Sequence, residues 1–150
     1  MPAIIPSYVY TMIAFAIIGA LLISSVISYT NTLKITSEKK QLYNVMSQLS
    51  TSAITMANLL SKENSSAQAF VDLPSSIGNQ QYWLSFQNDS FYAWIYGGFG
   101  TDVQKTGSDQ MFLLKGLDIN GNFVSGYGSA IIEGSRNGST ITLNLQNIGA

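Results

Sequence analysis

Hydrophobic positions are distributed along this chain in three different ways. In YVYTMIAFAIIGALLISSVISY, residues 8–29, they are almost continuous, and no charged side chain occurs anywhere from Met1 to Leu33. In NTLKITSEKKQLYNVMSQLSTSAITMANLLSKE, residues 31–63, the apolar positions Leu33, Ile35, Leu42, Val45, Met46, Leu49, Ile54, Met56, Leu59 and Leu60 fall mostly three and four apart, with neither Pro nor Gly between them. That spacing makes a helix with one apolar stripe. Beyond SKENSSAQ the pattern turns to short alternating runs separated by turn residues, the period of strands.

The first two patterns join into one predicted helix, from near Pro6 to about Lys62, several times the average helix of about 11–12 residues. At about 1.5 Å per residue, residues 8–29 would span roughly 33 Å, the thickness of a bilayer's hydrocarbon core. Pro2 and Pro6 stand where a helix tolerates proline, and Tyr8, Tyr10 and Tyr29 lie near the ends of the run, as interfacial aromatics do. A cleavable secretory signal has a basic start, a shorter apolar core and a small-residue cleavage site. This run has no Lys or Arg before it, so the segment reads as retained. Ala16, Ala20 and Ser24 recur four apart with Gly19 alongside; this pattern either lets helix backbones approach closely or reflects the general frequency of small residues in membrane helices.

The alternating runs predict strands at QYWLSFQ (81–87) and FYAWIY (91–96), joined by a tight hairpin at Asn88-Asp89-Ser90. Next come MFLLKGLD (111–118) and NFVSGYGSAIIEGS (122–135), joined around Asn120-Gly121. STITLNLQN (139–147) follows the turn Arg136-Asn137-Gly138, and a further short strand precedes Pro74. Asn-Gly between alternating runs is a strong hairpin signal. Five or six antiparallel strands would make a small sheet or sandwich, closed by residues 34–62 of the helix through Leu42, Val45, Leu49 and Leu60. The expected class is α+β: residues 1–62 as a long N-terminal helix of membrane-spanning length, apolar in its first half and amphipathic in its second, and residues 63–150 as an antiparallel β-domain. GGFGTDVQKTGSDQ (97–110) reads as a mobile loop; Gly98 and Gly100 belong to no phosphate-binding pattern.

Composition narrows the function. Charged residues make up 10 % of the chain and the net charge is −1, against a usual charged share of about 25 %, so no basic field exists for nucleic acid. With no His and no Cys, the commonest general base, the commonest transition-metal ligands and the thiol nucleophile are missing. Catalysis is not expected, nor is a cofactor. The carboxylates Asp72, Asp89, Asp102, Asp109, Asp118 and Glu133 are scattered, and nothing in their spacing selects a catalytic pair. DINGN (118–122) alternates oxygen-bearing side chains before a glycine but lacks the downstream Glu and flanking helices of a calcium loop; a β-turn is expected. Tyr82, Trp83, Phe86, Phe91, Tyr92, Trp94 and Tyr96 concentrate aromatic rings, read as core and cross-strand pairs, with stacking on sugars or bases as the other reading. Asn64, Asn88 and Asn137 each begin an N-x-[ST] sequon at a predicted turn or linker, where a glycosyl acceptor must be exposed.

An uncharged helix, lipid-like in IIPSYVYTMIAFAIIGALLISSVISYTNTL and amphipathic beyond it, followed at once by a small β-domain, resembles the archaeal type IV pilins and archaellins. The resemblance covers the whole chain as an architecture. It implies a structural protein whose subunits wait in the membrane and then pack their apolar helices into the core of an extracellular filament, with β-domains outside. On that reading Tyr8, Phe15, Ala16, Gly19, Ala20, Leu22, Ser24 and Tyr29 pack in the core and the partner is the chain itself, with glycans implied at the sequons. Members are made with a short basic leader; none precedes Ile4, which implies a mature form or an unprocessed, membrane-anchored accessory. The glutamate near the mature start of bacterial pilins is also missing. Lys34, Lys39 and Lys40 follow the apolar run, an arrangement that by the positive-inside rule favours a cytoplasmic β-domain; a removed basic leader would reverse that balance, and the sequons favour the outside. The rival reading is a single-span membrane protein whose β-domain binds an envelope or extracellular partner.

Overall fold

The computed structural model describes residues 4–61, 64–89, 91–104 and 108–149. One helix, α1 (Ile4–Leu59), precedes seven strands: β1 (Ser66–Val71), β2 (Tyr82–Asp89), β3 (Tyr92–Phe99), β4 (Asp109–Lys115), β5 (Leu117–Val124), β6 (Ser129–Asn137) and β7 (Thr140–Ile148). The fold is α+β, and its compact units divide inside the helix, as Met1–Ser37 and Glu38–Ala150. Lys62, the expected end of the helix, lies outside the described residues.

In the second unit the helix buries Leu42, Val45, Met46, Leu49, Ala53 and Met56, three and four apart, and Leu60 just past its end, against one face of the sheet. The four predicted docking residues are all in this core. Leu33, Ile35 and Leu59, counted in the same stripe from the sequence, are exposed. Two strand glycines let helix and sheet approach. A Cβ on Gly97 would lie 3.0 Å from Met46 Sδ, and one on Gly134 2.7 Å from Leu60 Cδ1 and 3.0 Å from Met56 Cγ.

The sheet runs β1-β6-β7-β5-β2-β3-β4. It holds seven strands rather than five or six, and it is mixed rather than antiparallel, because β5 and β7 pair in parallel, Leu117 with Ile141 through Gly121 with Leu145. The expected hairpin around Asn120-Gly121 does not form. Residues 117–124 are one strand, and the glycine serves another purpose: at φ +102° it turns β5 away from β7, so that Asn122, Phe123 and Val124 pair with Ser85, Leu84 and Trp83 of β2. Asn-Gly signals a left-handed residue; it does not say whether the chain then reverses or pivots. DINGN is accordingly strand, not turn. The predicted strand 122–135 divides at Ser125-Gly126-Tyr127-Gly128 into the end of β5 and β6. Past the pivot, the Asn147 side chain of β7 takes the place of a backbone partner: its Nδ2 donates to Val124 O (2.8 Å) and its Oδ1 accepts from Val124 N (2.9 Å).

The other two turns form near their expected places. Asp89 pairs with Tyr92 and Asn137 with Thr140, although Ser90 lies outside the described residues. The 97–110 loop is shorter than expected, since Gly97, Gly98 and Phe99 belong to β3 and Asp109 and Gln110 to β4. These glycines read as loop residues in sequence, but a buried close approach requires them as strongly as a turn does.

The last turn of α1 carries no basic residue. Arg136, from β6, supplies the cation: its Nη1 donates to Leu60 O (3.3 Å) and Ser61 O (2.7 Å), and its Nε to Gly138 O (2.9 Å). A cation at the negative end of a helix satisfies carbonyls that have no partner within it. Replacing Arg136 by Ala is expected to lower stability by about 1–3 kcal/mol, the range for hydrogen bonds to a charged donor, read as a lower urea midpoint; Lys, without the fork, should recover only part.

The Tyr82 hydroxyl, under the sheet, donates to Pro74 O (2.7 Å), and burial of the ring raises its pKa well above the usual tyrosine value. Because the folded value is the higher one, this group's contribution is complete below the unfolded pKa of about 10 and falls by about 1.4 kcal/mol per pH unit above it. Tyr82→Phe is expected to remove that alkaline slope, while costing stability at neutral pH through the lost bond to Pro74. Urea unfolding at several pH values between neutrality and pH 11 checks both.

Candidate functional site

The predicted packing residues all lie on the first unit's helix. Tyr8, Phe15, Leu22 and Tyr29 are between 63 and 75 % exposed; Ala16, Ala20 and Ser24 are exposed and Gly19 nearly so, with open space where its Cβ would stand. Between Tyr8 and Ser37 no described side chain is buried within the chain. Among the described residues one helix is long and apolar enough to cross a membrane, and its most apolar window is wholly unburied. An apolar surface of this extent requires lipid or other protein around it.

The arrangement of these residues goes beyond a list of apolar positions. Tyr8, Phe15, Leu22 and Tyr29 are spaced seven apart, so at about 100° per residue they form one nearly straight ridge of large side chains. Ala16, Ala20 and Ser24 lie about 150° around the helix from that ridge by the same geometry, interspersed with Ile13, Ile17 and Ile27, while Gly19 lies beside the ridge. A seven-residue spacing was present in the sequence and is hidden by the hydrophobicity on every side of it. Three threonine hydroxyls here are turned onto the helix's own backbone: Thr11 Oγ1 donates to Tyr8 O (2.8 Å), Thr30 Oγ1 to Val26 O (2.9 Å) and Thr32 Oγ1 to Ser28 O (3.0 Å). Polar groups bonded in this way can enter an apolar medium without an unsatisfied donor.

Charge begins where this surface ends. Lys34, Lys39 and Lys40 are exposed, while Glu38 is buried at the start of the second unit with Gln80 Nε2 donating to its Oε2 (3.5 Å).

The three sequon asparagines differ. Asn64 is exposed in a left-handed conformation (φ +54°), and Asn137 is exposed at the end of β6. Asn88 is exposed as well, but its amide is committed to β5: Nδ2 donates to Asp118 Oδ1 (2.7 Å) and Oδ1 accepts from Ile119 N (3.1 Å). A glycan on Nδ2 would compete with the first of these bonds.

Asp118 is held by Asn88, and Glu133 accepts from Gln68 Nε2 (2.9 Å). Among the described residues no group of three or more Asp, Glu, His or Cys is placed to hold a metal ion. The aromatic concentration divides: Tyr82 and Phe86 enter the core, Trp83 is buried outside the core cluster, and Phe91 and Tyr92 are exposed. Compared with known proteins, the chain matches no family model, no curated protein and no solved structure.

Proposed function

We propose that this chain is a structural subunit of an extracellular filament of the archaeal type IV pilus kind, polymerising through residues 8–29 and not acting as an enzyme. The observation that carries the reading is the apolar helix exposed on every side from Tyr8 to Tyr29, with a ridge of large side chains and, about 150° from it, Ala16, Ala20 and Ser24 set between Ile13, Ile17 and Ile27. Two-fold pairing would set ridge on ridge or small on small. Ridge against small residues is a contact between different surfaces, and such contacts propagate as an open helical polymer unless the rotation closes a ring. Before assembly the same helix would lie in the membrane, its backbone bonded internally and its Thr11, Thr30 and Thr32 hydroxyls satisfied. After assembly the β-domains would form the outer surface, with Asn64 and Asn137 the best placed for glycans.

The test is electron microscopy of material sheared from cells making the protein, with mass spectrometry of the subunit's N-terminus. Filaments containing the chain are the expected result. Protein that stays in the membrane fraction would end the filament reading in favour of a single-span anchor.

A further inference from the structure

On β3 the residues Ala93 and Ile95 point into the core and Gly97 lies against Met46. Strand alternation therefore puts Tyr92, Trp94 and Tyr96 together on the opposite face, two residues and about 6.6 Å apart. Gly98 continues the row without a side chain, and Trp83 of β2, its cross-strand partner, fills the space: a Cβ at Gly98 would lie 2.9 Å from the indole. Three accessible rings, Tyr92, Trp94 and Tyr96, thus follow one strand, and Trp83, only 3 % exposed, closes the end of the row. Phe112 of β4 meets Trp94 and Tyr92 edge-on, with centroids 5.6 and 5.9 Å apart, so these rings are held in place while Tyr92 stays 44 % exposed and Phe112 49 %.

Beside the row stand Gln87 on β2 and Gln110 on β4, the cross-strand neighbours of Trp94 and Tyr96, with the buried Ser85 Oγ accepting from Gln87 Nε2 (3.1 Å). A groove lies at each end. One, of about 270 Å³, has Trp83 with Asp102, Gln104 and Ser108; the other, of about 300 Å³, has Tyr92 with Asn88, Asp89 and Lys115.

We propose that this row and its two end grooves bind a linear, uncharged glycan. Ring faces offer flat apolar area to the C–H faces of sugar rings, and the flanking amides, hydroxyls and carboxylates can both donate to and accept from sugar hydroxyls. Charge selects the ligand class. Among the described residues of the two grooves Lys115 is outnumbered by Asp89 and Asp102, whereas a polyanion such as single-stranded nucleic acid needs cations beside its stacking rings. The proposal does not depend on polymerisation, although a filament would repeat the row many times and turn a weak site into an avid one.

The experiment is isothermal titration calorimetry of the full chain, in a detergent without sugar, against cellohexaose, mannohexaose, chitohexaose and a heparin hexasaccharide. Saturable binding of at least one neutral hexaose is expected, at least tenfold weaker in Trp94→Ala and in Tyr92→Ala and unchanged in Gln68→Ala on β1. Absence of binding to all three neutral probes, equal binding by both aromatic variants, or preference for heparin would overturn it. Filaments are scored separately by microscopy, so failure here leaves the assembly reading standing, and the reverse holds too.

Discussion

Cells making the Ala20→Lys variant are expected to release no filaments, although the variant's β-domain remains folded. Ala20 lies near the middle of residues 8–29 and its side chain is exposed on the apolar helix. A lysine at the centre of a membrane helix costs about 2.5–3.5 kcal/mol on insertion scales. In a polymer that penalty recurs in every subunit, together with repulsion between ammonium groups of neighbouring copies, so the effect on assembly should be all-or-none. Ala20→Leu separates charge from size. It adds no charge but fills the small-residue side, and it is expected to reduce filament yield without abolishing membrane insertion. Sheared filament mass, compared with protein in the membrane fraction, measures both. Normal filaments from Ala20→Lys would remove the helix from the core of any assembly.

Gly121→Val is expected to be the most damaging single change within the β-domain. The residue sits at φ +102°, which a β-branched side chain avoids, and a Cβ there would collide with the Leu145 carbonyl oxygen and lie 2.7 Å from Leu145 N. Both obstacles are backbone of β7 and cannot swing aside as a side chain would. Strain of about 1–3 kcal/mol from the conformation adds to about 1–3 kcal/mol from the overfilled space, a loss comparable with the whole stability of a marginal domain. Loss of the cooperative unfolding transition in urea is the expected reading. A variant that unfolds within 1 kcal/mol of the parent would contradict the pivot.

Period made much of this legible in advance. The helix announced itself by hydrophobicity in one half and by three-and-four spacing in the other, and Leu42, Val45, Leu49 and Leu60 could be named as core because a stripe has one side. β2 and β3 were visible as aromatic alternation with a tight turn. What escaped was pairing between strands far apart in sequence. Nothing local distinguishes a strand that turns back at Asn120-Gly121 from one that pivots there and exchanges partners, because both need the same left-handed glycine. The same limit hid the roles of Arg136 and Asn147. Arg136 bonds carbonyls 75 and 76 residues away, and a residue's own neighbours carry no trace of so distant a partner. In the candidate assembly surface the seven-residue ridge was obscured for the opposite reason: every side of the helix is apolar, so no contrast marks one face.

The place of β7 governs the order in which the protein can be made. The most C-terminal strand of the sheet lies between β6 and β5, so β1 with β6 and the group β5, β2, β3 and β4 share no edge until β7 has been synthesised and inserted. The apolar helix leaves the ribosome before any strand of the sheet and is ready for a membrane well before its domain can close. During that interval the nascent chain exposes unpaired strand edges, the surfaces most prone to stray association. Holding such a chain at a membrane while translation finishes would keep neighbouring copies apart through this vulnerable period.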